Sequence, residues 1–490
     1  MVDHVQCEQG ALRERSGPVM TSTDARARLQ SPSSGPALIQ VGLPRPPGPA
    51  QVPPALRPGR VGTSSIRRGP MWLMRSVDHW VGLPLCFTLG ALVSLQHRLL
   101  PRPERAIRED GTLLVIKFFG LGSIIEATPL LRAIRRRYPG ARLVFLTFES
   151  NEGLLRRLGL CTDIRIIRTR SPIHFVLDTL GALLWMRRLD VDAAIDLEFF
   201  SKFSTLMAAL GGARRRVGYH LNAFWRRSLL TDPVYFNYYR HITDVFAQAG
   251  SHLDVPIADH TLTPVPVDEA ARARVDQGLR EWIGGAGAAA GERLVGVNVN
   301  AGEMSLERRW PVERFIALIE ALIARHPDVR VLLTGAAGEA GYVRTVFDGM
   351  GEAARRRVIV TAGLWSMDEF VASLGRMACF VTNDSGPMHL AAAQGTPLVS
   401  LWGPGRPEFY APHVPRHEIV YEEYPCSPCL YMFTTFEGMW CRHEGWCMQA
   451  IQPARVLAAI ERLLALAPGA GASAPSGAGA KGGGATPDPA

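Results

Sequence analysis

Between residues 112 and 465 the chain alternates short apolar runs with longer segments whose apolar residues recur every three or four positions. The short runs are Thr112–Lys117, Arg142–Thr147, Ala193–Leu197, Leu294–Val299, Val329–Thr334, Val358–Thr361, Cys379–Thr382 and Leu398–Leu401. Most are apolar at successive positions, as parallel strands covered on both faces require. Helical spacing runs through Ile124–Tyr138, Lys202–Leu210, Val312–His326, Met367–Arg376 and Met388–Gln394. Strands alternating with helices predict parallel sheets with crossover helices. The elements fall into two groups, 106–265 and 292–465, with a linker over 266–291. The predicted fold class is therefore α/β, with two Rossmann-like, doubly wound domains. Ligands in such sheets sit beyond the carboxyl ends of the strands, where Gly122, Gly302 and Asp384 fall.

The ends follow other patterns. Residues 1–70 are rich in Pro, Arg, Ser and Gly and cannot bury much apolar surface, so a disordered head is expected, with Met71 an alternative start. The Gly/Ala/Pro-rich tail, 466–490, is expected to be disordered as well. Residues 71–105 form a membrane-associating segment on this reading. Its apolar run Trp80–Leu95 is flanked by Arg75, Arg98, Arg102 and Arg105. It is short for a span of about 20 residues and has no A-x-A cleavage site. A monotopic dip into one leaflet is the preferred reading. A buried core helix and a single transmembrane anchor are the alternatives.

The most informative stretch is Val381–Pro404, which reads strand, turn, helix, turn, strand. Asn383, Asp384, Ser385 and Gly386 supply turn and cap chemistry. Such a turn aims backbone N–H groups and a helix's positive end at one point, where an anion is the natural ligand. Ser385 adds a hydroxyl and His389 a proton donor; an ordinary helix cap with a satisfied histidine is the bland alternative.

Composition narrows the class. The chain has 490 residues, 47% hydrophobic and 20% charged, with a net charge of +9. A basic balance fits a nucleotide-sugar donor, a phosphorylated acceptor or an anionic membrane face. No nucleic-acid-binding signature accompanies it, so a nucleic-acid partner is not expected. Four of the cysteines, Cys426, Cys429, Cys441 and Cys447, have a C-x2-C-x11-C-x5-C spacing that suits structural zinc or an iron–sulfur cluster. Free or redox-active thiols are the other reading. Cys86, Cys161 and Cys379 are expected as small buried hydrophobes.

Three segments in order resemble glycosyltransferase family 9, the bacterial heptosyltransferase family. They are Thr112–Pro139, Asn300–Pro311 (which ends Arg308-Arg309-Trp-Pro), and the Thr-Asn-Asp-Ser-Gly-Pro-Met-His stretch through His389. The resemblance covers roughly residues 110–460. It implies a GT-B fold, two such domains facing across a cleft. It also implies inverting transfer of a heptose-like sugar from an ADP-sugar or other nucleotide sugar to a lipopolysaccharide-core-type glycolipid. The expected place is the cytoplasmic face of the bacterial inner membrane, and no metal is required for catalysis.

Residues follow from the resemblance one by one. Asn300, Arg308, Arg309, Asp368, Asp384, Ser385, Gly386 and His389 are expected at the nucleotide sugar, with Arg308 favoured over Arg309 because adjacent loop side chains point apart. Lys117 and Lys202 are expected at the acceptor. The family carries Gly-Asp after the first strand, and that aspartate is its base; this chain has Gly122-Ser123. A serine hydroxyl is a poor base. Glu126, one helical turn on, is the expected replacement, with Asp196 and Glu198 as further candidates. Ser123 also keeps a second function open: a catalytically silent, membrane-associated nucleotide-sugar binder or scaffold of the same pathway.

Overall fold

Two six-stranded parallel sheets carry the chain. The first comprises β1 (Thr112–Ile116), β2 (Arg142–Phe148), β3 (Asp163–Ile167), β4 (Val191–Asp196), β5 (Arg215–His220) and β6 (Asp232–Tyr235), in the order β3-β2-β1-β4-β5-β6. The second comprises β7 (Arg293–Asn298), β8 (Val329–Thr334), β9 (Val358–Val360), β10 (Cys379–Asn383), β11 (Leu398–Trp402) and β12 (His417–Tyr421), ordered β12-β11-β10-β7-β8-β9. The computed structural model describes residues 76–99, 106–199, 201–220, 224–283, 292–302, 305–430, 441 and 445–465. The expected disordered head and tail lie outside the described residues.

Each sheet reverses its strand order once near its middle, at β1/β4 and at β7/β10. β1, β4, β10 and β11 are buried along their whole length, which accounts for their largely apolar runs; β4's buried Asp192 and Asp196 pair with Arg108 and Arg226. The crevice outside the carboxyl ends at such a reversal is where ligands bind in doubly wound sheets.

Three local differences from the sequence reading have physical causes. The helix expected over Ile124–Tyr138 is two helices, Leu121–Glu126 and Thr128–Arg137. Pro129 has no N–H to give to Ile125, and the Thr128 hydroxyl donates to the Ile125 carbonyl instead, at 2.6 Å. The expected linker contains a 15-residue helix, Glu269–Ile283, that packs against Met367–Leu374 of the second lobe. Arg274–Glu369 (2.6 Å) and Arg376–Asp276 (2.6 Å) ion pairs fasten it there. Cys161 is only half-buried, whereas Cys86 and Cys379 are fully buried as expected.

The apolar core is continuous between the lobes. Ile124 and Ile125 of the first lobe share one cluster with Met388, Leu390 and Ala391 of the second. The short helix Leu121–Glu126 thus packs directly on the helix Gly386–Ala393. Burying these side chains is worth about 1.5–3 kcal/mol each, enough to hold the two strand ends in contact.

Candidate active site

The turn after β10 is built by amide side chains. The Asn383 Nδ2 group donates to the carbonyls of Val299 and Asn300, both at 3.1 Å, and its Oδ1 accepts from the Trp310 amide at 3.1 Å. Asn298 donates to the hydroxyls of Thr382 (3.1 Å) and Ser385 (3.2 Å), which are 3.0 Å apart. The Ser385 hydroxyl is thereby committed to the floor of the turn and does not cap the helix Gly386–Ala393. Pro387 brings no N–H. Among the described residues, the amides of Ser385 and Gly386 make no hydrogen bond to protein. The positive end of this helix is left to be satisfied from outside.

Two arginines before Trp310 diverge. The Arg308 guanidinium turns toward the turn and stands 3.5 Å from Asp384. Arg309 lies over the Tyr342 ring, 4.1 Å from its centroid. Asn300 is buried in the same loop, yet among the described residues neither its Oδ1 nor its Nδ2 has a partner. An orphaned buried amide costs roughly 1–3 kcal/mol, so this one is fitted to something that binds. Asp368 is tied across the lobes to Arg157. Its neighbour Glu369 closes a capping box with Ser366 at the start of Met367–Leu374.

The loop after β1 meets the turn after β10. Gly120 has φ of 86°, a left-handed conformation that favours glycine. The Ser123 hydroxyl folds back onto its own loop, donating to the Gly120 carbonyl at 2.8 Å. Gly122 lies against the His389 imidazole so closely that a methyl group there would stand 2.2 Å from Cδ2. Glu126 Oε1 receives a 2.7 Å hydrogen bond from His389 Nδ1, and both side chains are buried. Glu126 Oε2 is also buried and, among the described residues, has no partner. With the carboxylate ionised, the proton sits on Nδ1 and Nε2 is an open acceptor beside Gly122. On its far side Glu126 lines a cavity of about 1020 Å³ that also presents His241, His260, His413 and Arg416.

The remaining predicted residues serve the first lobe. Lys117 is buried and pairs with Glu198 at 2.9 Å; Glu198 also accepts from the amides of Phe118 (2.7 Å) and Phe119 (2.9 Å). Glu198 thus shapes the loop after β1. Asp196 pairs with the fully buried Arg226 and accepts from Ser204. Both alternative carboxylates are consumed in this way. Lys202 is buried 3.7 Å from Asp78 and 5.3 Å from the Trp225 ring centroid.

Among the described residues no three His, Cys, Asp or Glu side chains are arranged to hold a metal ion. Burial, aided by the other cysteines, pushes the Cys429 and Cys447 thiols up to about 11 and about 12.

Sequence reading found the D-S-G turn and Arg308 but not the parts that brace them. Asn298 and Tyr342 were missed, and Thr382 and Trp310 stood in the motifs without a role; the Asn-Val-Asn spacing of 298–300 at a strand end was the available signal. It also did not pair Glu126 with His389.

Comparisons with known proteins agree with this architecture. Residues 188–439 match the family described as "Glycosyltransferase family 9 (heptosyltransferase)". The chain is 26% identical over 383 residues to "Lipopolysaccharide heptosyltransferase 1" of Pseudomonas aeruginosa, covering 73% of this chain and 98% of that protein. It is 29% identical over 167 residues to "Lipooligosaccharide heptosyltransferase 2" of Haemophilus influenzae, covering 34% of this chain and 46% of that one. The fold resembles the glycosyl transferase family 9 protein from Veillonella parvula, with a TM-score of 0.59, 21% identity and coverage of 74% of this chain and 100% of the other. It also resembles the E. coli ADP-heptose lps heptosyltransferase II, with a TM-score of 0.55, 22% identity and coverage of 72% and 98%. The two sheets are therefore the halves of a GT-B fold, and the chain belongs to glycosyltransferase family 9, the heptosyltransferase family.

Proposed function

We propose that this glycosyltransferase moves a heptose-like sugar, with inversion, from an ADP-sugar or other nucleotide sugar to a phosphorylated glycolipid of the lipopolysaccharide-core type. The names of its relatives support the sugar and the acceptor class. The observation that carries the reading is the meeting of the Gly386 helix end, Arg308 and the Glu126–His389 pair at the two strand reversals.

On this reading the diphosphate lies on the amides of Ser385 and Gly386, and Arg308 moves from Asp384 onto it. Asn300 gives its unpartnered amide to the donor. These groups neutralise the leaving group without calling on a metal. The acceptor hydroxyl attacks the anomeric carbon, the bond from that carbon to the diphosphate oxygen breaks, and the nucleoside diphosphate leaves. The hydroxyl proton passes to His389 Nε2, and Glu126 orients the ring and stabilises the imidazolium, as a buried carboxylate does for a histidine base. Lys117 and Lys202 already hold carboxylates, so an acceptor phosphate would have to draw them from Glu198 and Asp78. The proposed setting is the cytoplasmic face of the inner membrane. The helical segment Ser76–Gln96, long and apolar enough to cross a membrane by length and composition, supports a membrane anchor or a monotopic seat.

The silent-binder reading draws on one observation: Ser123 hydrogen-bonds within its own loop and offers no base. Calorimetry with ADP, UDP and GDP, followed by product analysis with ADP-heptose and a core acceptor, separates the two. Binding with turnover supports the transferase; binding with no turnover on any donor–acceptor pair supports the silent binder.

A further inference from the structure

One outer face of the first lobe has the surface of a membrane-seated protein, and it is wider than the segment that the sequence singles out. The helix Lys202–Leu210 lies on the β1/β4 side of the sheet, with Met207 and Ala208 in the core cluster that also holds Ala182 and Met186 of the helix Pro172–Arg188. Its Leu206 and Ala209 pack instead against Cys86, Leu89 and Val93 of the helix Gly82–Leu99. The two outer helices therefore flank it on the same face.

Both helices leave apolar side chains in the open. Ile173, Val176, Leu177, Leu180 and Leu184 are each 53–70% exposed and repeat at helical spacing along one stripe. Leu85, Phe87, Leu92, Leu95 and Leu99 are exposed on the other helix and Trp80 just before it, and Leu210, which ends the helix Lys202–Leu210, is exposed as well. Fourteen of the twenty exposed large hydrophobic side chains among the described residues belong to this layer. Scattered exposure needs no explanation, but a concentration of this kind marks an interaction face.

Charge selects the partner. The segment Ser76–Gln96 and the helix Pro172–Arg188 have one acid each, and each acid is already bonded within the protein. Asp78 accepts from the Phe203 amide at 2.7 Å, and Asp178 from Arg168 at 2.8 Å. The outward stripe of Pro172–Arg188 carries no negative charge, and it ends in the exposed Arg187 and Arg188. Arg170, 88% exposed and 3.5 Å from Glu149, stands at the other end. An apolar face rimmed by arginine, with Trp80 at its edge, is the pattern of a helix lying in the interface of an anionic bilayer.

We propose that Pro172–Arg188 is a second membrane-binding element, which lies in an anionic lipid interface beside the helix Gly82–Leu99 and seats the first lobe flat on the bilayer. This deepens the membrane placement proposed above and rests on it. The test is flotation of the full-length protein with vesicles of phosphatidylethanolamine and phosphatidylglycerol, comparing wild type with Leu177→Ser/Leu180→Ser/Leu184→Ser. The first helix is intact in both proteins. Replacing three exposed leucines is expected to lower partitioning roughly tenfold or more while the melting temperature is kept, and Arg188→Glu is expected to weaken binding at low salt. Flotation of the triple variant equal to wild type overturns the proposal. So does a wild-type dimer that the triple variant abolishes without change in flotation, because the face would then join two copies of this chain. Transfer to a delipidated, water-soluble acceptor reads the active site separately: an unchanged rate in the triple variant keeps a failed membrane seat distinct from a failed transferase.

Discussion

Glu126 Oε1 and His389 Nδ1 are 2.7 Å apart although 263 positions separate them in the chain, and each belongs to a different lobe. The pair gives the site a histidine whose second nitrogen is open and whose first is held by a carboxylate. His389→Gln is expected to lower kcat by roughly 100- to 10,000-fold, the usual range for a general base. It should leave the donor Kd little changed. Glu126→Gln should cost less and should shift the acid limb of the kcat profile. A His389→Gln enzyme with wild-type kcat would place the base elsewhere.

Gly122→Ala tests the seat of the same imidazole. The added methyl would stand 2.2 Å from His389 Cδ2, in a contact closed on both sides. Overpacking of this kind costs about 1–3 kcal/mol. The variant is expected to melt earlier and to lose kcat more than KM. An unchanged melting temperature with full activity would show that the ring has room to move.

Arg308 and Arg309 should separate in a titration with ADP and AMP. Arg308 faces the Gly386 turn, and charge-assisted hydrogen bonds contribute about 1.5–3 kcal/mol. Arg308→Ala is therefore expected to raise the ADP Kd by roughly tenfold or more and the AMP Kd much less. Arg309→Ala removes a stacking contact with Tyr342 and should affect the two nucleotides alike. The opposite pattern would assign the diphosphate to Arg309.

Stability should fall on mild acidification. Burial holds His241 and His417 below the ordinary histidine range, although Glu126 pulls His241 partly back. The unfolded chain then binds more protons than the folded one between the two values. Their contribution is full above the unfolded histidine pKa of about 6.5 and is lost progressively as pH drops toward the folded value. Urea midpoints measured from pH 8 down to pH 5 should decline, and His417→Gln should flatten the slope. An equal slope in that variant would remove His417 from the account.

Lys117→Met should be strongly destabilising, by about 3–5 kcal/mol, because it leaves Glu198 buried without its cation. Lys117→Met/Glu198→Leu should recover part of the loss in melting experiments. No recovery would mean that the amides of Phe118 and Phe119 depend on Glu198 more than Lys117 does.

The parts of the fold that were legible are those whose burial is complete. β8 and the helix Lys202–Leu210 match their predicted bounds, and β1, β7, β10 and β11 differ by a residue or two. All sit at or near the centre of their lobes, where apolar runs are unbroken. β3, β6 and β12, at sheet edges, and β5, next to an edge, were not read because such positions admit Arg165, Asp232, His417 and Arg215, which break the pattern. The helix Pro172–Arg188 escaped for the opposite reason: it is apolar on nearly every side, so no periodic face marks it. At the site, the local Asn-Asp-Ser-Gly turn could be read from four adjacent letters. The partnership of Glu126 with His389 could not, because it is made by packing between two lobes and leaves no spacing to count.

The direct packing of Leu121–Glu126 on Gly386–Ala393 has a further consequence. The proposed proton acceptor, His389, and the carboxylate bonded to it, Glu126, are supplied from opposite halves of the molecule, so drawing the halves apart would dismantle the pair. Donor could still dock on the Gly386 turn in that splayed form, but no aligned imidazole would stand ready to activate stray water. Assembly of the base would thus serve as a safeguard against wasteful hydrolysis of the sugar nucleotide.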